Sequence, residues 1–364
     1  MNRTPLIEHH RKLNAKLVDF NDWEMPIQYR GVVEEYQAVR TAVGVFDVSH
    51  MGRVMVEGRD AVSFLQQVTT NNVMKLAAGA AQYSMICNQE GGIKDDIFVY
   101  RLDERRFLLC VNASNREKII SWLYTKSPQG DVRLSDESHD LAQIALQGPH
   151  SEAVLGAVCP GVPDTLKPRH CVEAEVFKIN CIISRTGYTG EVGYELYVPS
   201  QSSGIIWAGL LEAGESLGIK PCGLAARDLL RLEVGYLLYG SDMDENTTPL
   251  EASAEWSVYF TKGDFIGRPS LLRQKDKGVL RKLVGFELIQ KGVPRHGMKI
   301  TSQGNNLQEI GVVTSGNLSP RLQKGIGLGY VPPEFSSLGT SLLIDIRGRA
   351  HAAIVVAPPF YKRK

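Results

Sequence analysis

Alternating and helical spacings of apolar residues divide the first part of the chain into strands and helices. GRVMVEG (52–58) predicts a first strand, and the apolar positions after it follow helical spacing, with Asp60 placed to cap the helix. Residues 81–111 have the pattern of a β meander with turns at QEGG and DERR. Ser114 and Glu117 then match a capping box, which predicts that a helix begins there.

The later part of the chain changes from mixed elements to short strands. EVFKINCIISRTG and EVGYELYVP predict two strands around a turn, and PCGLAARDLLRLE predicts a helix that ends by Gly235. From about residue 280, segments such as KLVGFELI and AAIVVAPPF are short, alternating and separated by Gly or Pro. This texture favours a small β-barrel or sandwich. We therefore expect an α+β body with an all-β, barrel-like C-terminal domain.

Composition narrows the class of protein. The chain is 43% hydrophobic and 22% charged, which is typical of globular proteins, and no apolar run approaches the roughly 20 residues that span a bilayer. Its start lacks an apolar signal core, which favours a cytoplasmic location. The six cysteines contain no CxxC pair and the eight histidines have no metal-ligand spacing. We expect buried thiols and no metal site.

Charge is distributed unevenly although its total is small. The net charge of +1 suggests no polyanionic partner such as a nucleic acid. Residues 261–364, however, contain 17 Lys and Arg against 6 Asp and Glu, a balance of +11, which leaves 24 basic and 34 acidic residues before them. Such asymmetry indicates either a partner surface or two differently solvated surfaces.

A candidate polar pocket lies on the meander. Side chains alternate along a strand, so Asp96, Phe98 and Tyr100 share one face, and pairing across the QEGG turn brings Tyr83 level with them. A carboxylate and two phenols could form a pocket with aromatic walls. The same pattern fits a strand face in solvent, and Asp95 beside Asp96 leaves the choice of acid open.

Two further sets of charged residues are ambiguous from spacing alone. Arg227 and Arg231 lie one helical turn apart, so that either could enter a cleft or form a structural ion pair. Glu195 shares a strand face with Tyr197 between apolar neighbours, where a carboxylate requires a partner. The glycines of GIGLG (325–329) are followed by a short strand and two prolines rather than by a helix, which argues against a dinucleotide loop.

A collinear series of segments resembles one known family, the T-proteins of the glycine cleavage system. TPLIEHHRKLNAKLVDFNDWEMPIQY, AQYSMICNQEGGIKDDIFVYR and VNASNREK are similar to the first half of these proteins. RTGYTGEVGYELYV, PCGLAARDLLRLEVGYLLYGSDMDENTTPLEA and GVVTSGNLSP are similar to the remainder. Val192 and the stretch 253–258 depart from the usual family pattern, but neither includes a proposed site residue.

The resemblance implies a three-domain cloverleaf around a central folate channel. The expected domains are residues 1–51 with 138–235, residues 52–137 with 236–279, and residues 280–364. Asp96 is implied as the catalytic carboxylate. The residues implied to bind folate or substrate are Met51, Tyr83, Tyr100, Asn112, Tyr188, Glu195, Arg227 and Tyr236.

The activity implied by the resemblance is aminomethyl transfer in glycine cleavage. The aminomethyl carbon would pass from the lipoyl arm of H-protein to tetrahydrofolate as co-substrate, with lipoylated H-protein as the partner and no metal, nucleic acid or membrane involved. The location would be cytoplasmic, or the mitochondrial matrix in a eukaryote. A free-standing folate-dependent sulfonium demethylase remains an alternative. A non-enzymatic folate-binding factor is a further one, although its KGCYxGQE motif is replaced here by RTGYTGEVGYE.

Overall fold

The computed structural model describes residues 1–126, 130–303 and 308–363 in two compact units. Residues 1–84 and 96–228 form the first unit, and residues 85–95 and 229–364 form the second. The helices of the described residues are α1 (Ile7–Lys12), α2 (Val32–Thr41), α3 (Ala61–Val68), α4 (Arg116–Lys126), α5 (Ser151–Val158), α6 (Val162–Thr165), α7 (Ser203–Ala213), α8 (Leu224–Glu233) and α9 (Arg268–Lys277). None of them is both long enough and apolar enough to cross a membrane.

The strands of the described residues are more numerous than the helices. In chain order they are β1 (Asn2–Arg3), β2 (Lys16–Phe20), β3 (Trp23–Gln28), β4 (Val43–Asp47), β5 (Gly52–Glu57), β6 (Ala81–Cys87), β7 (Ile93–Arg101), β8 (Arg106–Val111), β9 (Arg133–Asp136), β10 (Leu141–Gln147), β11 (Cys171–Val176), β12 (Ile179–Ser184), β13 (Gly193–Pro199), β14 (Ile219–Pro221), β15 (Lys282–Leu288), β16 (Lys299–Ser302), β17 (Glu309–Ser319), β18 (Lys324–Val331), β19 (Ser341–Ile346) and β20 (Arg349–Val356).

These strands form three open sheets and a barrel within the described residues. The sheet orders are β1-β3-β2, β11-β12-β13-β10-β4-β14 and β6-β7-β8-β5-β9, and the closed barrel runs β15-β18-β17-β16-β19-β20. The predicted α+β class with a C-terminal barrel is confirmed. The division into three domains and the cloverleaf remain predictions.

Apolar packing explains the six-stranded sheet and the barrel separately. In the first unit, β10 and β13 are buried almost throughout, and Trp207 of α7 packs in the core that these strands share. In the barrel, Phe286 fills the interior, and a Cβ at Gly327 of β18 would lie 2.4 Å from its ring. Gly327, the central glycine of GIGLG, therefore makes room for an aromatic ring, as expected of a strand and not of a nucleotide loop.

Several local predictions need correction. β5 is not the first strand, because β1 to β4 precede it. Asp60 occupies the N-cap of α3, but its carboxylate accepts the N–H of Asp131 at 2.9 Å and does not cap the helix. Ser114 lies in a 3-10 turn, and α4 begins only at Arg116, so the capping box is not formed as predicted. The predicted buried thiols are confirmed, since all six cysteines are free and buried.

A buried polar cluster connects the N-terminus of the first unit to its central sheet. Asp47, at the end of β4, accepts hydrogen bonds from the Thr4 hydroxyl at 2.6 Å and the Ser49 N–H at 2.8 Å, and its Oδ2 lies 2.8 Å from His10 Nε2. His10 Nδ1 in turn lies 2.9 Å from the Tyr29 hydroxyl. Burial alone would raise the pKa of Asp47, but attraction to His10 and the other hydrogen bonds lower it to about 2.

Asp47→Asn is therefore expected to destabilise the protein in a pH-dependent way. Because the folded-state pKa lies below the unfolded value of about 3.9, the stabilisation is complete above that value and is lost as the pH falls through about 2. At pH 7 the variant should lose about 2 kcal/mol, or roughly 4–8 °C in melting temperature. Thermal melts at pH 7 and pH 3 measure this. Asp131→Asn, at an exposed ion pair with Arg59, is the control, and a loss for Asp47→Asn that is equal at both pH values would contradict the expectation.

Candidate functional site

The carboxylate of Asp96 is held by two neutral donors on neighbouring segments of the first unit. Its Oδ2 accepts the Tyr83 hydroxyl of β6 at 3.1 Å, and its Oδ1 accepts Asn112 Nδ2, just after β8, at 2.7 Å. Asp95 and Ile97 are fully buried, whereas Asp96 is half-buried, as alternation along β7 requires. The predicted association of Tyr83 with Asp96 is confirmed, and Asn112 joins it.

Aromatic rings continue from this carboxylate along the same strand face. The Phe98 ring lies 6.1 Å from that of Tyr83 and 5.7 Å from that of Tyr100. Tyr100 packs edge-on against Tyr197 at 5.5 Å, and Met51 belongs to the same apolar cluster. Of the two interpretations that the meander pattern left open, the aromatic wall is the one present, and it is largely buried.

Glu195 lies at the far end of this wall, and its hydrogen-bond partners among the described residues are neutral. It is 8% exposed and accepts hydrogen bonds from Thr186 Oγ1 at 2.5 Å, Gln143 Nε2 at 3.1 Å and the Tyr100 hydroxyl at 3.4 Å. Burial, reinforced by the Glu195 charge, raises the pKa of Tyr100 well above its ordinary value. The phenol therefore stays protonated and donates to the carboxylate.

Arg227 and Arg231, one turn apart on α8, have different environments. Arg231 forms a buried ion pair with Asp242 at 2.7 Å and also donates to the Ser315 hydroxyl at 2.8 Å, which is a structural role. The guanidinium of Arg227 lies over the Tyr188 ring, 4.7 Å from its centroid, and Nη1 is buried without a hydrogen-bond partner among the described residues. A buried guanidinium donor without an acceptor is uncommon and indicates a position where a ligand or water completes the hydrogen bond.

Tyr236 belongs to the second unit and is 43% exposed. Its backbone is fixed by Arg231, whose Nη1 donates to the Tyr236 carbonyl at 3.0 Å while the Tyr236 N–H donates to the Arg231 carbonyl, also at 3.0 Å. The ion pair with Asp242 thus fixes this part of the backbone as well as Arg231 itself.

Three residues beside the predicted site were not found from the sequence. Gln143 and Thr186 bind Glu195, and His50 precedes Met51 with its Nδ1 buried and without a partner among the described residues. Burial lowers the pKa of His50 to about 3, assisted by the nearby charge of Arg227, so its ring is neutral. A polar residue inside the apolar strand LAQIALQ was the available signal for Gln143, the same signal that drew attention to Glu195.

Comparison with known proteins decides the family. Residues 6–262 match the GCVT N-terminal domain, and residues 281–362 match the glycine cleavage T-protein C-terminal barrel domain. The chain belongs to the glycine cleavage T-protein family. A curated aminomethyltransferase from Halothermothrix orenii is 48% identical over 360 residues, covering 99% of this chain and 100% of the relative. One from Bacteroides thetaiotaomicron is 47% identical over 365 residues and is covered completely.

A solved T-protein supports the same conclusion for the fold. The crystal structure of the glycine cleavage system aminomethyltransferase T from Bartonella henselae is similar with a TM-score of 0.93 and 34% identity, covering 99% of this chain and 98% of that one. The resemblance stated from the sequence motifs is therefore confirmed. The activity that these comparisons support is that of an aminomethyltransferase of glycine cleavage.

Proposed function

We propose that this chain transfers the aminomethyl carbon from the lipoyl arm of H-protein to tetrahydrofolate. The products are 5,10-methylenetetrahydrofolate, ammonia and dihydrolipoyl H-protein. The observation that carries the proposal is the buried Arg227 guanidinium, which lies over the Tyr188 ring and has an Nη1 without an acceptor among the described residues. A flat heteroaromatic ligand with a carbonyl, such as the pterin of folate, suits this pair.

Glu195 suits the opposite edge of the same ligand. The pterin edge resembles a guanidine and presents N–H donors, whereas a carboxylate offers about four acceptor positions. Three of these positions are used by Thr186, Gln143 and Tyr100, all of them neutral donors. Glu195 therefore keeps one acceptor position for the ligand, while Arg227 takes the carbonyl. Tyr188 would pack against the pterin or the aminobenzoate ring, and the ring contact implied for Tyr236 stays a prediction.

Asp96 is assigned the chemical role. Tetrahydrofolate supplies the amine nitrogens that accept the carbon unit. Asp96, held by Tyr83 and Asn112, orients the amine and stabilises positive charge as ammonia departs. Met51 and Tyr100 line the same wall beside it.

Lipoylated H-protein is the proposed partner, in the cytoplasm or, in a eukaryote, the mitochondrial matrix. A lipoyl arm delivers its cargo only if its carrier docks transiently. Residues 261–364 carry a balance of +11, and H-proteins are expected to be acidic from the family resemblance. Long-range attraction accelerates such an encounter without slowing release.

An ammonia-release assay tests the proposed function directly. Purified H-protein carrying the aminomethyl group should release ammonia with this enzyme at a rate that depends on tetrahydrofolate. The folate product should be methylenetetrahydrofolate. Methyltetrahydrofolate formed from a sulfonium substrate, with no reaction of the aminomethyl carrier, would replace the proposal with the demethylase alternative.

Asp96→Asn is expected to lower turnover by roughly 10²–10⁴-fold, the range for a positioned proton-handling group. Folate binding should persist, because the substitution is isosteric and the pterin contacts are assigned to Arg227 and Glu195 rather than to Asp96. Steady-state kinetics with calorimetry measures both effects. Asp95→Asn is the neighbouring comparison. If both variants stay folded by circular dichroism and lose activity equally, the assignment of Asp96 as the catalytic carboxylate is wrong.

The charge asymmetry predicts a salt effect that distinguishes the two substrates. Added salt should raise the apparent KM for H-protein steeply and the KM for tetrahydrofolate little, because exposed charges are screened beyond about 8 Å at physiological ionic strength. Reversing the exposed Lys282 and Lys291 to Glu should reproduce the high-salt behaviour. The control with equal charge change reverses the exposed Lys12 and Lys167 of the first unit. A KM for H-protein that is independent of salt would remove the docking role from residues 261–364.

A further inference from the structure

Helix α2 carries two charged side chains that are buried in the first unit. Glu35 is 1% exposed and Arg40 is 8% exposed, and they lie five residues apart on the helix. Neither has been assigned a role above. Charged side chains are almost never buried unless other groups satisfy them, so the partners of these two indicate what they do.

Glu35 binds four backbone amides in two separate segments. Its Oε1 accepts the N–H groups of Tyr29, Arg30 and Gly31 at 2.6, 3.0 and 3.2 Å, at the start of its own helix. Its Oε2 accepts the N–H of Gly223 at 2.8 Å, 188 residues further along the chain. One carboxylate therefore joins the segment before α2 to the residue that precedes α8.

The start of α8 is closely packed where Glu35 binds it. A Cβ at Gly223 would lie 2.4 Å from the carbonyl carbon of Ile27, so the chain passes close to the end of β3. The Cys222 N–H donates to the Val45 carbonyl at 2.9 Å. Arg227 follows one turn later, and its N–H donates to the Gly223 carbonyl at 3.2 Å. The position of Arg227 therefore follows from the position of Gly223.

Arg40 binds the segment that carries Tyr188, the ring over which the Arg227 guanidinium lies. Its Nη1 donates to the Thr189 carbonyl at 2.7 Å and to Glu191 Oε1 at 2.9 Å. Both acceptors lie in the segment between β12 and β13, which also carries Tyr188. The Arg227 guanidinium lies over the Tyr188 ring at 4.7 Å. One helix thus holds the segment of the arginine through Glu35 and the segment of the tyrosine through Arg40.

We propose that Glu35 and Arg40 are positioning residues that set the Arg227–Tyr188 pair for its ligand. The assignment rests on the proposed folate-binding function of that pair. Supporting contacts of this kind matter because a displacement of even about 1 Å at a binding group strongly weakens its interaction with the ligand. Neither residue needs to contact the ligand, since both act through backbone that they fix.

Glu35→Gln is the sharpest substitution because it keeps the size and removes one acceptor. If the amide oxygen stays with the three N–H groups at residues 29–31, the NH₂ group faces the Gly223 N–H, donor against donor. The matched control is Glu34→Gln, the same change on the neighbouring residue, whose side chain is exposed and 4.0 Å from Lys220. Arg40→Lys tests the tyrosine side and keeps the charge.

Calorimetric titration with tetrahydrofolate should show a dissociation constant about tenfold higher for Glu35→Gln and unchanged for Glu34→Gln. The KM for the aminomethyl carrier should change little, whereas general destabilisation would affect both substrates. The decisive measurement is the double variant Glu35→Gln with Arg227→Ala. If Glu35 acts through Arg227, the double variant binds no more weakly than Arg227→Ala alone.

The outcomes separate this assignment from the proposed function. If the wild type does not bind tetrahydrofolate, the proposed function is wrong and the positioning role falls with it. If the wild type binds, Arg227→Ala weakens binding and Glu35→Gln does not, only the positioning role is overturned. If the loss of tetrahydrofolate affinity in the double variant equals the sum of the two single losses in free energy, the positioning role is overturned as well. If Glu35→Gln does not fold by circular dichroism, Arg40→Lys decides: a weaker affinity that is non-additive with Arg227→Ala supports the role, and an unchanged affinity contradicts it.

Discussion

The first unit depends on one constraint: formal charges lie where water does not reach, and dipoles rather than opposite charges satisfy several of them. Glu35 accepts four backbone amides, and Glu195 accepts a hydroxyl, an amide and a phenol. Arg53 is fully buried and donates to backbone carbonyls, those of Ser49, Met51, Ser138 and Leu141. Dipoles hold a charge in place without cancelling it, so the charge remains available to a polar ligand.

This arrangement explains why the site residues come from distant parts of the chain and still form a defined geometry. Arg53 fixes the carbonyl of Met51, Glu35 fixes the start of α8, and Arg40 fixes the segment of Tyr188. Each of these contacts is to a backbone group. It therefore fixes the position of a chain segment whatever side chains that segment carries. Burial of Arg53 lowers its pKa to about 10, which still leaves it charged at neutral pH.

Sequence patterns predicted what is local and missed what is long-range. The Asp96–Tyr83 contact follows from alternation across a tight turn, and the barrel follows from short strands between turn residues. The cap assigned to Asp60 was wrong because its carboxylate binds an amide 71 residues away, which no local pattern encodes. Glu35 was missed for the same reason. Spacing could not show which of Arg227 and Arg231 has a structural role. The ion pair of Arg231 with Asp242 decides this, and it forms only when the chain folds.

The reactivity of the six buried cysteine thiols can report on local opening of this enzyme. Burial raises the pKa of Cys87, Cys110, Cys171 and Cys181 to about 12, so the reactive thiolate is scarce while the chain is closed. Cys181 lies in the core of the first unit, and Cys87 in residues 85–95 of the second. The rate at which an alkylating reagent modifies each cysteine therefore measures how often its surroundings open, and mass spectrometry of the modified peptides would resolve the opening of the two units separately.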